Sequence, residues 1–114
     1  MIRTDEISVI RPITGITSDN VEELKAALQP LAERQNLQVI VDLGAVDIIT
    51  TPGISVLLEA AQKLRAHGGA LALARPRPTV AGVLRRLRLG AVLETVDGID
   101  QAVQLTGKAE TRIG

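Results

Sequence analysis

The chain has 114 residues, enough for one compact domain with a single core. It has no Cys, which excludes disulfides, thiolate chemistry and Cys-ligated metals; it has no Phe, Trp or Tyr, which leaves Ile, Leu, Val and Ala to build the core and removes aromatic stacking on bases or sugars. The net charge is zero, yet residues 1–60 carry a net of −5 and residues 61–114 a net of +5, so the fold has either one acidic and one basic side or interleaved halves whose fields cancel.

Residues 7–13 (Ile7, Val9, Ile10, Ile13) read as a β-branched strand ended by Gly15. Ser18-Asp19-Asn20 is a helix-start cluster, and Asp19 with Glu22 three residues on resembles a capping box. Val21, Leu24 and Leu28 form one apolar helical face, and Pro30 should end or kink that helix near Gln29. Residues 38–43 make the clearest strand, its Val39-Ile40-Val41 run pointing to burial on both faces. Residues 44–51 read as a loop and 52–66 as a second helix with Ile54, Leu57, Leu58, Ala61 and Leu64 inward; Glu59 and Lys63 share the other face. Gly68-Gly69 stops it. Then follow a short strand over 70–74, a stiff connector holding Pro76 and Pro78, and a helix over 79–89 with Val80, Val83, Leu84 and Leu87 inward and Arg85, Arg86 and Arg88 outward. A strand over 92–96 and a short helix over 98–105 complete the pattern. The domain is expected to span 1–107, with 108–114 a flexible tail. Strand–helix alternation implies a partly parallel sheet with right-handed crossovers.

Catalytic signatures are missing. The one histidine, His67, falls at a helix C-terminus, where a structural contact with free carbonyls is the natural role. No second His and no Cys can complete a triad or a zinc site, no phosphate-binding loop is present, and Asp42 and Asp47 alone are a weak metal signal. The expectation is a protein without enzymatic activity, cofactor or metal. Arg75, Arg77, Arg85, Arg86 and Arg88 form a basic patch, but zero net charge and zero aromatics argue for a solvated face or a protein-docking surface over nucleic acid. No stretch approaches the roughly 20 apolar residues of a membrane span, and Met1 to Ser8 shows no signal-peptide pattern, so a cytoplasmic protein without direct membrane insertion is expected.

The informative segment is Ile48-Ile49-Thr50-Thr51-Pro52-Gly53-Ile54. Thr51 suits the N-cap, its hydroxyl accepting from the Ile54 amide, with Pro52 at the first helical position. Phosphate on a hydroxyl there would meet free amides at the positive helix end.

The order Val39-Ile-Val-Asp-Leu43, Val46-Asp-Ile-Ile-Thr50, Thr51-Pro52-Gly53-Ile54, His67-Gly68-Gly69-Ala70, then Pro78-Thr79-Val80 and Leu84 to Gly90, resembles the STAS family, the domain of anti-sigma factor antagonists. The likeness covers nearly the whole chain. It implies an α/β fold with a mixed four- to five-stranded sheet and about four helices packed on it. It also implies a protein-interaction module that regulates a sigma factor through an anti-sigma factor that is also a serine kinase. Carried over by position, the phospho-acceptor is Thr51, and the partner surface is Asp47, Thr50, Thr51, Gly53 and Ser55. Thr50 stands where the family has Asp, and Pro52 where it has a second hydroxyl. The alternative the resemblance leaves open is a constitutive scaffold subunit of a signalling assembly or membrane transport complex. Assembly as a homodimer is likewise open.

Overall fold

The computed structural model describes residues 6–91 and 93–96. They form β1 (Glu6–Ile10), α1 (Val21–Ala32), β2 (Leu37–Asp42), α2 (Thr51–Ala66), β3 (Ala70–Ala74), α3 (Pro78–Arg86), a 3₁₀ turn (Leu89–Ala91) and β4 (Glu94–Val96). The four strands lie in the order β1-β2-β3-β4, and every pair is parallel. This is the α/β architecture that the alternation pointed to. The helix over 98–105 and the tail over 108–114 fall outside the described residues.

Parallel neighbours cannot be joined by a tight turn, so each connection carries a helix. Val39 and Val41 of β2 and Leu71 and Leu73 of β3 share one core with Leu24 and Leu28 of α1, Leu57 and Leu64 of α2, and Val80 and Leu84 of α3. Three helices therefore cover one face of the sheet. On the other face, Ile40 packs with Ala72 and Ala74, flanked by Ile7 and Val96. Every residue of β2 is buried, as a central strand with apolar residues on both faces must be.

Several local expectations change. β1 stops at Ile10 rather than continuing to Ile13; beyond it, only Ile16 pairs again, with Ile49. The N-cap of α1 is Asn20, not Asp19, and the Asn20 side chain serves the preceding loop instead of the helix. It accepts from the Thr17 amide at 2.9 Å and donates to the Gly15 carbonyl at 2.7 Å. Pro30 is held inside α1. It sits in the last turn, where only one bond is lost and the helix has two residues left to run. Leu87, expected inward, is exposed: α3 ends at Arg86, and Arg88 turns the chain at φ +57° before a further inward position is reached.

The end of α2 follows the glycine pair closely. The Gly69 amide bonds the Leu64 carbonyl at 2.8 Å and the Gly68 amide bonds Arg65 at 3.1 Å, with Gly68 at φ +84°. These are the two reversed bonds of a Schellman cap. His67 Nδ1 lies 3.1 Å from the carbonyl of Ala32, one of the unpaired carbonyls ending α1. Its place is structural, tying two helix ends together.

Candidate functional site

Loop 43–50 joins the end of β2 to the start of α2, at the C-terminal edge of the parallel sheet. Thr50, not Thr51, occupies the N-cap of α2: its backbone is extended, and its carbonyl accepts from the Ile54 amide at 3.0 Å. Its hydroxyl makes no cap bond and instead points 3.3 Å from the carbonyl of Ile16. Thr51 is thus the first helical residue, and Pro52 the second. Proline fits there for the same reason as one position earlier, since the first four helix amides have no intrahelical acceptor.

Of the five partner-surface residues expected from the sequence, Asp47, Thr51 and Ser55 are exposed and Thr50 is half-buried. Gly53 is buried, which corrects its place on that surface. A Cβ there would come within 2.5 Å of the Ile16 side chain, so the glycine lets α2 pass close to the loop after β1. That loop and loop 43–50 run side by side. The Ile16 amide bonds the Ile48 carbonyl at 2.8 Å, and the Thr50 amide bonds the Ile16 carbonyl at 3.0 Å. Ile13 and Ile48, one from each loop, are 82 % and 51 % exposed. Large apolar side chains exposed in that state, Ile48 three residues before Thr51, make a surface suited to docking.

The sequence reading missed the group that holds the loop from below. Asp42, the last residue of β2, is only 3 % exposed. Arg75 grips it with two bonds, Nε to Oδ1 at 3.0 Å and Nη2 to Oδ2 at 2.9 Å. Arg11 Nε adds a bond to Oδ2 at 3.3 Å, and the Gly44 amide one to Oδ1 at 3.0 Å. The Arg75 fork holds the carboxyl below the usual aspartate range, helped by the Gly44 amide and opposed by burial; the same contact raises Arg75. Arg77 Nε bonds the Gly44 carbonyl at 2.9 Å, and the Thr79 hydroxyl donates to the Asp47 carbonyl at 3.0 Å. One signal was available in the sequence. An Asp ending a strand buried on both faces must be paired, and a cation just past a neighbouring parallel strand is the natural partner.

The basic patch of the sequence therefore divides. Arg75 and Arg77 clasp the loop, while Arg85 and Arg86 at the far end of α3 and Arg88 just past it are exposed, and their side chains make no hydrogen bond or ion pair among the described residues. Among those residues no cluster of His, Cys, Asp or Glu is arranged to hold a metal, and no helix is long and apolar enough to cross a membrane.

The loop geometry sits on a fold with known relatives. A model of the STAS domain matches residues 1–102. The chain belongs to the STAS domain family. The curated relative BtrV of Bordetella bronchiseptica, described as an anti-sigma factor antagonist, is 35% identical over 68 residues. That match covers 60% of this STAS chain and 59% of the relative's own length. A Thermotoga maritima protein described as an anti-sigma factor antagonist has the same fold, with a TM-score of 0.75, 19% identity, and 86% and 85% of the two chains covered. So does the Bacillus antagonist SpoIIAA in its unphosphorylated form, with a TM-score of 0.72, 20% identity, and 92% and 91% covered; it is also solved in a phosphorylated form.

Proposed function

We propose that this STAS domain is an anti-sigma factor antagonist-like interaction module that acts by binding rather than catalysis, in the cytoplasm, on a partner anti-sigma factor with serine-kinase activity. The docking face is loop 47–53 with the start of α2. Asp47, Thr51 and Ser55 supply its polar contacts, and Ile48, with Ile13 from the adjoining loop, its apolar ones. Thr51 is the phospho-acceptor. The observation that carries this reading is the exposure of the Thr51 side chain as the first residue of α2, beside apolar side chains that nothing in the core requires. The names of the relatives support the partner class.

The switch is electrostatic. A phosphothreonine adds about −1.5 to −2 charges at pH 7. The free amides of the first turn and the positive helix end stabilise it in the free protein. A partner cleft fitted to a neutral hydroxyl loses that complementarity, through desolvation of the dianion and repulsion from any carboxylate facing it.

The test mixes the protein with its cognate kinase and ATP and maps the phosphate by mass spectrometry. Phosphate on Thr51 is expected, together with a loss of kinase affinity of at least about tenfold in Thr51→Glu, equivalent to about 1.4 kcal/mol. Modification elsewhere, or unchanged affinity in that variant, would remove the switch. A second reading is favoured by Pro52 and by Thr50 at the family's Asp position, which stiffen the loop and remove a carboxylate beside the acceptor. In it the same face holds a constitutive scaffold contact; a stable heteromer indifferent to ATP would be its signature.

A further inference from the structure

Three arginines converge beside the docking loop from separate segments: Arg11 from the loop after β1, Arg75 and Arg77 from the loop after β3. Arg11 and Arg75 reach the same carboxylate oxygen of Asp42, and Arg77 reaches the carbonyl of Gly44, whose amide bonds the other oxygen. One buried carboxylate thus faces two guanidiniums, and the third rests on the carbonyl of Gly44, whose amide bonds the same carboxylate. Arg75 is also fixed by its backbone, at φ +56° with its amide on the Val96 carbonyl. Gly44 makes room for it, since a Cβ there would lie 2.5 Å from Arg75 Nη2.

Each guanidinium carries five N–H donors. Among the described residues, Arg11 and Arg77 commit only Nε, and Arg75 commits Nε and Nη2. The side chains of Arg11 and Arg75 are 66 % and 53 % exposed, and Arg77 is exposed. The remaining donors are therefore held in place from behind and open in front. Freely solvated arginines must lose rotamer freedom to bind; these have already lost part of it in folding.

We infer that Arg11, Arg75 and Arg77 form a preorganised rim that binds the carboxylates of an acidic segment on the protein that docks at loop 47–53. The rim is continuous with that face, because Arg77 and Thr79 bond the carbonyls of Gly44 and Asp47 within the same loop. Guanidinium forks match carboxylates bidentately. Three forks carried on two loops and open to water suit several anionic groups borne on one partner better than a single small anion. The absence of aromatic residues removes the stacking that a nucleic-acid partner would use. The inference rests on the docking reading above and names the chemistry of the partner.

The test titrates the full chain, with ¹⁵N-labelled arginine, using a synthetic Glu-Ala peptide, and in parallel inorganic phosphate and a single-stranded DNA oligonucleotide. The peptide is expected to shift the Nε–H signals of Arg11, Arg75 and Arg77 saturably. That response should weaken as salt shortens the Debye length from about 30 Å at 0.01 M to about 8 Å at 0.15 M. The double variant R11Q/R77Q should lose about fivefold in peptide affinity, while the triple variant R85Q/R86Q/R88Q on α3 keeps it. Equal loss in the α3 variant would overturn the inference, as would a response without saturation, or phosphate or DNA giving the same shifts at equal or lower concentration. No kinase is present in this titration, so failure of the Thr51 switch leaves its outcome untouched, and failure of the rim leaves Thr51 phosphorylation untouched.

Discussion

A carboxylate at the end of a fully buried strand is costly unless it is paired, and Asp42 is paired on both oxygens. Because Arg75 holds its folded-state pKa below the ordinary value of 3.8, the unfolded chain takes up protons first as pH falls. The stabilisation is complete above about pH 5, where both states are ionised, and is lost as pH drops through the unfolded value and then the lower folded one. Asp42→Asn is expected to cost about 1–2 kcal/mol at pH 7. This is modest because both arginine partners are more than half exposed and salt screens them. The difference between variant and parent should shrink toward pH 3. Urea midpoints across that range check it, and acid limbs that stay parallel would assign the titration to other groups.

At the scale of elements, the two glycines after α2 have different duties that one motif conceals. Gly68 adopts a left-handed backbone, whereas Gly69 passes so close to β2 that a Cβ would lie 2.0 Å from the Leu37 carbonyl oxygen. Gly68→Ala is expected to cost about 1–2 kcal/mol through its backbone conformation. Gly69→Ala should cost about 3 kcal/mol, because backbone rather than a flexible side chain must give way. Thermal or urea unfolding of the two variants tests the order; equal losses would mean that β2 and the α2 cap can separate without penalty. The same logic applies at the other end of α2. There Gly53 allows the close pass by Ile16 that holds the loop after β1 against loop 43–50.

At the scale of the whole molecule, one apolar core joins the three described helices to the sheet, with Leu57 and Leu64 of α2 among its fully buried members. Leu57, fully buried on α2, touches the centre of that core. Leu57→Ala should cost about 2–5 kcal/mol. Unfolding should remain a single transition in which helix and strand signals disappear together, as one core requires. Separate transitions by two spectroscopic probes would show that the helical layer and the sheet are energetically distinct. The charge asymmetry between the two halves of the sequence also finds its answer at this scale. Asp19, Glu22 and Glu23 are exposed at the start of α1, and Arg85, Arg86 and Arg88 are exposed at the end of α3. The strand order β1-β2-β3-β4 with right-handed crossovers sets α1 and α3 on either side of α2, while Asp42 and Arg75 pair across the two halves of the sequence.

Much of this was determined by the sequence alone. The alternation of strand and helix patterns, the apolar Val39-Ile40-Val41 run of β2, the glycine stop after α2 and the start of α2 at Thr-Pro are local features, set by periodicity, backbone freedom and the unpaired amides of a helix end. The tertiary structure alone decided which threonine caps α2, because Thr50 is drawn to a carbonyl 34 residues earlier in the chain. It likewise decided that Gly53 packs rather than docks, that α3 stops before Leu87 turns inward, and that Arg11 and Arg75 meet on Asp42. Apart from the end of α3, which the left-handed turn at Arg88 sets, those outcomes depend on contacts between segments some thirty residues apart, and hydrophobic periodicity carries no information about which polar group will find which.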